Sequence, residues 1–422
     1  MIKTRQGLLA LSPIVLFLGL YLIVSIIIGD FYKMPISVAL VVSSVWAVAI
    51  YRGPQLSERI DVFSREAGQS NIIYMIWVFI LAGAFSALAQ GIGAVDATVN
   101  LTIRYLPSEF LIPGIYLAAC FISLSIGTSV GTVVALTPLV KDLSAATGVS
   151  LPLFIAVVLG GAFFGDNLSF ISDTTIAATR TQGIKLNEKF KANIAIVLPA
   201  ALITLALYVF LGTEVKDVTP AEDVNYWLII PYLLVFITAL AGINVTVVLV
   251  SGIISAVVIG GIFSVDLLEM AGYIGSGIES MGSLIVITLL AAGMLGIIKA
   301  AGGIEYLLQV LTRHIKGSRG AQGVIALITG LVNMCTANNT VAIITVGTIS
   351  RDISQRFNVT GRKTASILDT SSCIVQCLIP YGAQTLFATS LAGISPVAPW
   401  PYLYYPWALT AALIVSIIIK RR

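Results

Sequence analysis

The sequence predicts an all-α polytopic membrane protein: two inverted repeats that supply about ten transmembrane helices plus two re-entrant helical hairpins, with both termini cytoplasmic. Three observations carry that prediction. The 422-residue chain is 58% hydrophobic and only 10% charged, with a mean hydropathy of +0.99, where soluble domains hold about 25% charged residues. Its second half repeats motifs of its first at an offset of 209 residues. Its Lys and Arg residues gather on one side of a membrane only if two segments fold back as hairpins.

Taken in order, the apolar runs come first. Leu8–Ile28, Trp227–Leu240 and Ile243–Phe263 match the roughly 20 residues that cross hydrocarbon. The N-terminal run follows Lys3 and Arg5, exceeds a signal-peptide core and has no small-residue cleavage site behind it, so it reads as a retained first helix. The net charge of +4 resides in short loops between spans, which argues against a nucleic-acid partner and for the lipid bilayer. Cys120, Cys335, Cys373 and Cys377 lie in apolar segments without a second Cys or His pair, so they read as small hydrophobes rather than a metal or redox centre. No cofactor is implied.

The repeat comes second. Gln90–Leu106 aligns without gaps to Lys299–Ile315, pairing Gly93 with Gly302, Asp96 with Glu305 and Arg104 with Arg313. Thr128–Thr137 lies over Thr336–Thr345, with Thr128/Thr336, Thr132/Thr340 and Thr137/Thr345 coincident. Gly165–Thr175 lies over Val375–Thr385. The first repeat then spans residues 1–212, with a hairpin over about 109–145 and a broken helix over about 151–180; the second spans 213–422, with a hairpin over about 318–355 and a broken helix over about 363–389.

The charges come third. With both hairpins re-entrant, 20 of the 24 Lys and Arg residues fall inside and four (Lys33, Arg104, Lys141, Lys216) outside. With both segments as full crossings the division is 14 to 10. The positive-inside rule selects the hairpins. Five crossings per half then force the second half to be inverted, a known construction of secondary transporters.

Polar residues in hydrocarbon are costly and mark function by default. The segment GDNLSFISDTT gathers Asp166, Asn167, Ser169, Ser172, Asp173, Thr174 and Thr175 in an apolar helix behind Gly160, Gly161 and Gly165. The glycines favour a break or a close helix approach. A broken helix frees backbone carbonyls, and the side-chain oxygens beside them suit a hard cation such as Na⁺, with Asp166, Asn167 and Asp173 as the ligands. Helix capping accounts for Asp, Asn and Ser singly, but capping does not call for two carboxylates in one span. On a continuous helix Asp166 and Asp173 would share a face, one ligating Na⁺ while the other exchanges a proton.

In the second half Pro380 breaks the corresponding helix. Gln376 stands opposite Asp166 and Gln384 opposite Thr174, leaving a neutral amide surface for an organic group or a second ion. Asp369 reads either as a further buried carboxylate or as a cap. The hairpin tips, Thr128, Ser129 and Thr132 in one half and Asn338, Asn339 and Thr340 in the other, present hydroxyls, amides and helix N-termini. Lys299 is the main basic residue inside a predicted span, and snorkelling explains it. With no guanidinium counter-ion for a carboxylate substrate, the balance leans to a small inorganic cation. His314, beside Arg313 and Lys316, reads as interfacial, and Asp96 and Glu305 as caps of connector helices.

At GAFFGDNLSFISDTT, and at the tips TSVGT and TANNT, the sequence resembles the NhaC-type Na⁺/H⁺ antiporter family of the ion transporter superfamily. Over most of its length it is similar to a compact branch that includes suspected amino-acid transporters. It departs from the family pattern at Phe170, where the family often has Pro. The resemblance implies an inverted-repeat fold with Na⁺-linked transport at Asp166, Asn167, Ser169, Asp173 and Thr174. The expectation is Na⁺/H⁺ exchange in the cell's inner membrane by alternating access. The alternative is a Na⁺- or H⁺-coupled transporter of an amino acid or small organic acid. Neither reading involves an enzyme, and the sequence leaves open whether the chain forms a homodimer.

Overall fold

The computed structural model describes residues 4–28, 35–52, 55–169, 172–212, 225–241, 243–263, 265–312 and 315–419. Phe170, Arg313 and His314, which the sequence singled out, lie outside them. Every regular element among the described residues is helical. In chain order the first ten are α1 (Thr4–Ile28), α2 (Ile36–Ile50), α3 (Leu56–Ala67), α4 (Ser70–Gly91), α5 (Ala94–Tyr105), α6 (Leu111–Ile126), α7 (Ser129–Thr147), α8 (Leu151–Leu168), α9 (Asp173–Gln182) and α10 (Leu186–Gly212). There follow α11 (Ile230–Leu240), α12 (Val245–Ile262), α13 (Leu267–Ser280), α14 (Gly282–Ala300), α15 (Gly303–Thr312), α16 (Gly317–Thr336), α17 (Asn339–Arg356), α18 (Gly361–Leu378), α19 (Ala383–Ala392) and α20 (Tyr404–Ile418).

Six helical stretches among the described residues are long and apolar enough to cross a membrane, and shorter apolar helices accompany them. The protein is therefore multi-pass. Its most buried element is α8, in which every side chain from Leu153 to Leu168 is covered. A helix apolar on all sides belongs in the interior. Its counterpart is α18, covered from Thr364 to Ile374 despite carrying Thr, Ser and Asp there. Helices α6 and α7 pack on α8, as α16 and α17 pack on α18. The two sets also cross: α17 packs on α9 and α7 on α19. Around them α4 lies against α12 and α13, while α14 lies against α2 and α3.

Each set has one short break between its first two helices and one within the buried helix. Gly127 ends α6 at φ 73° and Ala337 ends α16 at φ 47°, both left-handed; glycine takes that region at no steric cost, and Ala337 is held there against its Cβ. The buried helix α8 ends at Leu168 and α9 opens at Asp173, while α18 ends at Leu378 and α19 opens at Ala383, with Pro380 between the last two as expected. These landmarks recur at a single spacing. Gly127 and Ala337, Ser169 and Ile379, and Gly183 and Gly393 are each 210 residues apart. The threonine-on-threonine pairing at the tips differs from that spacing by two residues: Thr128 and Asn338 are the N-caps, and Ser129 and Asn339 open α7 and α17. Side-chain identity drew that alignment, whereas backbone geometry sets the turn.

Equivalent hydrogen bonds follow the same spacing. Ser123 Oγ donates to the Ala162 carbonyl at 2.5 Å, and Asn333 Nδ2 donates to the Ser372 carbonyl at 2.7 Å. Lys141 Nζ donates to the Leu391 carbonyl at the end of α19, while Arg351 lies against Gly183 at the end of α9. The glycines of α8 serve close approach rather than the break. A Cβ on Gly161 would meet Ala119, and one on Gly165 would overlap Ser123 Oγ and backbone. Asp96 and Glu305 lie in the first turns of α5 and α15, where a carboxylate offsets the helix dipole.

Candidate functional site

The breaks expose helix ends in the protein interior, and unsatisfied backbone groups there need partners. The carbonyl of Asp166, near the end of α8, accepts from Ser172 Oγ at 2.8 Å and Thr174 Oγ1 at 3.0 Å. Ser172 also caps α9 through the Thr175 amide. The neighbouring carbonyl of Asn167 accepts from Lys189 Nζ at 2.7 Å and Asn193 Nδ2 at 2.8 Å. Ser169 Oγ donates to the Leu124 carbonyl and ties the end of α8 to α6.

The Asp166 side chain is buried and turns the other way, toward both tips. Its Oδ1 accepts from the Ser129 amide at 2.9 Å. Its Oδ2 accepts from Ser129 Oγ at 2.5 Å and from Asn339 Nδ2 at 3.3 Å. The Ser129 amide is the first of α7, so the carboxylate faces the positive end of that helix. The network continues into the second half. Gln384 Nε2 donates to Ser129 Oγ, Gln376 Nε2 donates to Gln384 Oε1, and Gln376 Nε2 also reaches the Ala337 carbonyl, each at 2.9 Å. One chain of bonds therefore joins both tips and both broken helices through Ser129, Asp166, Asn339, Gln376 and Gln384. Every group bonded to the carboxylate is a donor, and no basic side chain contacts it among the described residues.

Other expected members stand apart. Thr128 and Thr132 keep to a local bond, Thr132 Oγ1 to the Thr128 carbonyl at 3.2 Å. Asn338 caps α17 through the Val341 amide at 3.0 Å, and the Thr340 amide bonds Asn339 Oδ1. The Asn167 side chain points away, donating to the Phe163 carbonyl and the Tyr405 hydroxyl. The pairing of Asp166 with Asp173 on one helical face fails because the helix stops at Leu168. Asp173 opens α9 and is exposed, with no side-chain hydrogen bond or ion pair among the described residues.

Asp369 is settled as a buried carboxylate: it lies mid-helix in α18 with no exposed surface. Its partner is Lys189, whose Nζ lies 2.7 Å from Oδ2, and both side chains are buried. Asn193 Nδ2 donates to the same oxygen at 2.7 Å. This overturns the expectation that the interior lacks a basic residue. Lys299, by contrast, is exposed at the end of α14. In the sequence Lys189 sits among Lys185, Glu188 and Lys191, which resemble a connecting loop. A signal existed: Lys189, Asn193, Val197, Ala200, Thr204 and Tyr208 recur at helical spacing and form the buried stripe of α10.

A cleft of about 80 Å³ reaches the second tip, lined by Glu66, Gln69, Lys299, Thr336, Asn338 and Thr345 among others. A smaller one of about 40 Å³ continues it past Thr336 and Asn338 to Tyr381.

A sequence model described as the Na⁺/H⁺ antiporter family matches residues 8–213 and 221–420. Among curated relatives, a malate-2H⁺/Na⁺-lactate antiporter of Bacillus subtilis is 24% identical, covering 97% of this chain and 94% of its own. The Na⁺/H⁺ antiporter NhaC of Bacillus subtilis is 25% identical over 83% of this chain and 84% of its own. An arginine/ornithine antiporter, ArcD, of Halobacterium salinarum is also 25% identical, over 80% of this chain and 81% of its own.

Proposed function

This chain belongs to the Na⁺/H⁺ antiporter family, and from that premise we propose that it exchanges Na⁺ for H⁺ across the cell's inner membrane, both ions competing for Asp166. One observation carries the reading. Asp166 is a buried carboxylate with no cationic partner among the described residues, held where two helix tips and two broken helices converge. An uncompensated buried charge is expensive, so the site favours occupation by a cation. Ser129 Oγ and Asn339 Oδ1 are oxygens at hand for Na⁺, and a proton neutralises the carboxylate equally well. Asp173, exposed, lies outside this centre.

The inverted-repeat topology belongs to the same proposal: residues 1–212 and 213–422 as the two repeats, α6–α7 and α16–α17 as re-entrant hairpins, both termini cytoplasmic. It is supported by the matching landmarks, the crosswise packing of the two sets and the distribution of Lys and Arg. Alternating access then comes from the central set moving against the surrounding α2–α4 and α12–α14. Cysteines at two exposed positions test the topology, since the four native cysteines are buried. An impermeant thiol reagent labels Ser150→Cys from outside and Gln355→Cys only from the cytoplasm; the reverse at either position refutes the hairpins.

A second reading, Na⁺- or H⁺-coupled transport of an amino acid or small organic acid, is favoured by the cleft, whose Glu66 and Lys299 offer charges of both signs. Purified protein in liposomes separates the two. Na⁺/H⁺ exchange predicts that a Na⁺ gradient alone shifts internal pH. A gradient that moves no protons but drives uptake of labelled amino acids or small carboxylates replaces the first reading with the second.

A further inference from the structure

We propose that Lys189 is a built-in cation of the transport centre: its ammonium fills the cation position on Asp369, so the centre takes up one free monovalent cation at a time. The inference rests on the reading of Asp166 as the ion site.

The first ground is charge. Among the described residues the buried Asp, Glu, Lys and Arg side chains are Asp166, Asp369 and Lys189. Two carboxylates and one ammonium leave one negative charge in the interior. Net charge in a low-dielectric interior costs several kcal/mol, and a single monovalent cation removes it.

The second ground is the ligand set around the ammonium. Lys189 Nζ touches Asn167 O at 2.7 Å, Thr175 Oγ1 at 2.6 Å and Asp369 Oδ2 at 2.7 Å. Donating to three oxygens requires three N–H groups, which only the protonated amine possesses. A carboxylate, a helix-end carbonyl and a hydroxyl are also the oxygens a hard cation takes. The ammonium thus stands where a free cation would, at the negative end of α8.

The third ground is independent of the lysine. Asp369 Oδ1 and Asn193 Oδ1 are buried oxygens with no hydrogen-bond donor. Asn193 is bonded to Asp369, and both Asn193 and Lys189 are bonded to Asn167. Two acceptors without donors therefore belong to the ammonium's own counter-ion and to the amide bonded to it. Buried acceptors normally find a donor; oxygens left without one are available to a positive ion. With the ammonium gone, Asp369 would have an oxygen shell ready for a second cation.

Equilibrium binding of ²²Na⁺ to the purified full chain in detergent tests the proposal. Wild type is expected to bind one Na⁺ per chain and Lys189→Gln two. Lys189→Arg, which keeps a permanent cation, stays at one, as does the double variant Lys189→Gln/Asp369→Asn, from which both charges are gone. If Lys189→Gln is unstable in low salt, its protection by Na⁺ should rise with about the square of concentration rather than linearly. A wild-type stoichiometry of two overturns the proposal. So does a Lys189→Gln variant that binds one Na⁺, or is protected no more steeply than wild type. Binding of no Na⁺ by wild type would instead overturn the Asp166 reading itself, so the two failures are distinguishable. A role for Lys189 limited to holding α8 in place would leave the stoichiometry unchanged.

Discussion

Asp166→Asn should reduce Na⁺-driven proton movement by at least about a hundredfold while leaving the protein folded. The substitution keeps the shape of the side chain and removes its charge. The contribution at stake is that of an ion held by a buried carboxylate, about 3 kcal/mol or more for a charged hydrogen-bonding group, and each 1.4 kcal/mol is a factor of ten. The local network compounds the loss. Ser129 Oγ already accepts from Gln384 and so donates to Asp166, and Asn339 Nδ2 donates to the same carboxylate oxygen. An amide nitrogen at that position would meet donors only. The measurement is internal pH in liposomes under a Na⁺ gradient, beside the variant's melting curve. A folded variant that retains more than a tenth of the wild-type rate removes Asp166 from the exchange.

The sequence made much of this centre legible because a membrane makes polar residues conspicuous. Ser129, Asp166, Asn339, Gln376 and Gln384 stand out in apolar segments, and the structure joins them in one network. The helix pairs at 111–147 and 317–356 and the broken helices were equally legible, since Gly, Pro and polar interruptions punctuate long apolar runs. What escaped was whatever depends on which way a helix faces. Lys189 lies in a charged stretch, and only the rotation of α10 separates it, buried, from exposed Lys191. Asp173 carries the same letter as Asp166 but falls beyond the break, as an exposed residue opening an otherwise largely buried α9. The threonine pairing at the tips differs by two from the spacing of the backbone landmarks because threonine recurs on both sides of each turn, while the left-handed residue that makes the turn is glycine in one half and alanine in the other.

Asp369→Asn should destabilise the protein by about 3–5 kcal/mol, the usual cost of breaking a buried ion pair by removing one partner. The ammonium of Lys189 would keep Asn167 O and Thr175 Oγ1 but lose its counter-charge at a buried position. The buried charges would then be Asp166 and Lys189 alone, already balanced. The variant should therefore melt well below wild type and lose the stabilisation that Na⁺ confers on wild type. Removing the lysine as well reverses the first effect, because two neutral side chains of similar size leave no unpaired charge at the site of the pair. Thermal melting of Asp369→Asn, Lys189→Gln/Asp369→Asn and wild type, each with and without Na⁺, makes the comparison. A single variant as stable as wild type would mean that the 2.7 Å pair contributes little, and one still protected by Na⁺ as strongly as wild type would break the link between buried charge and cation uptake.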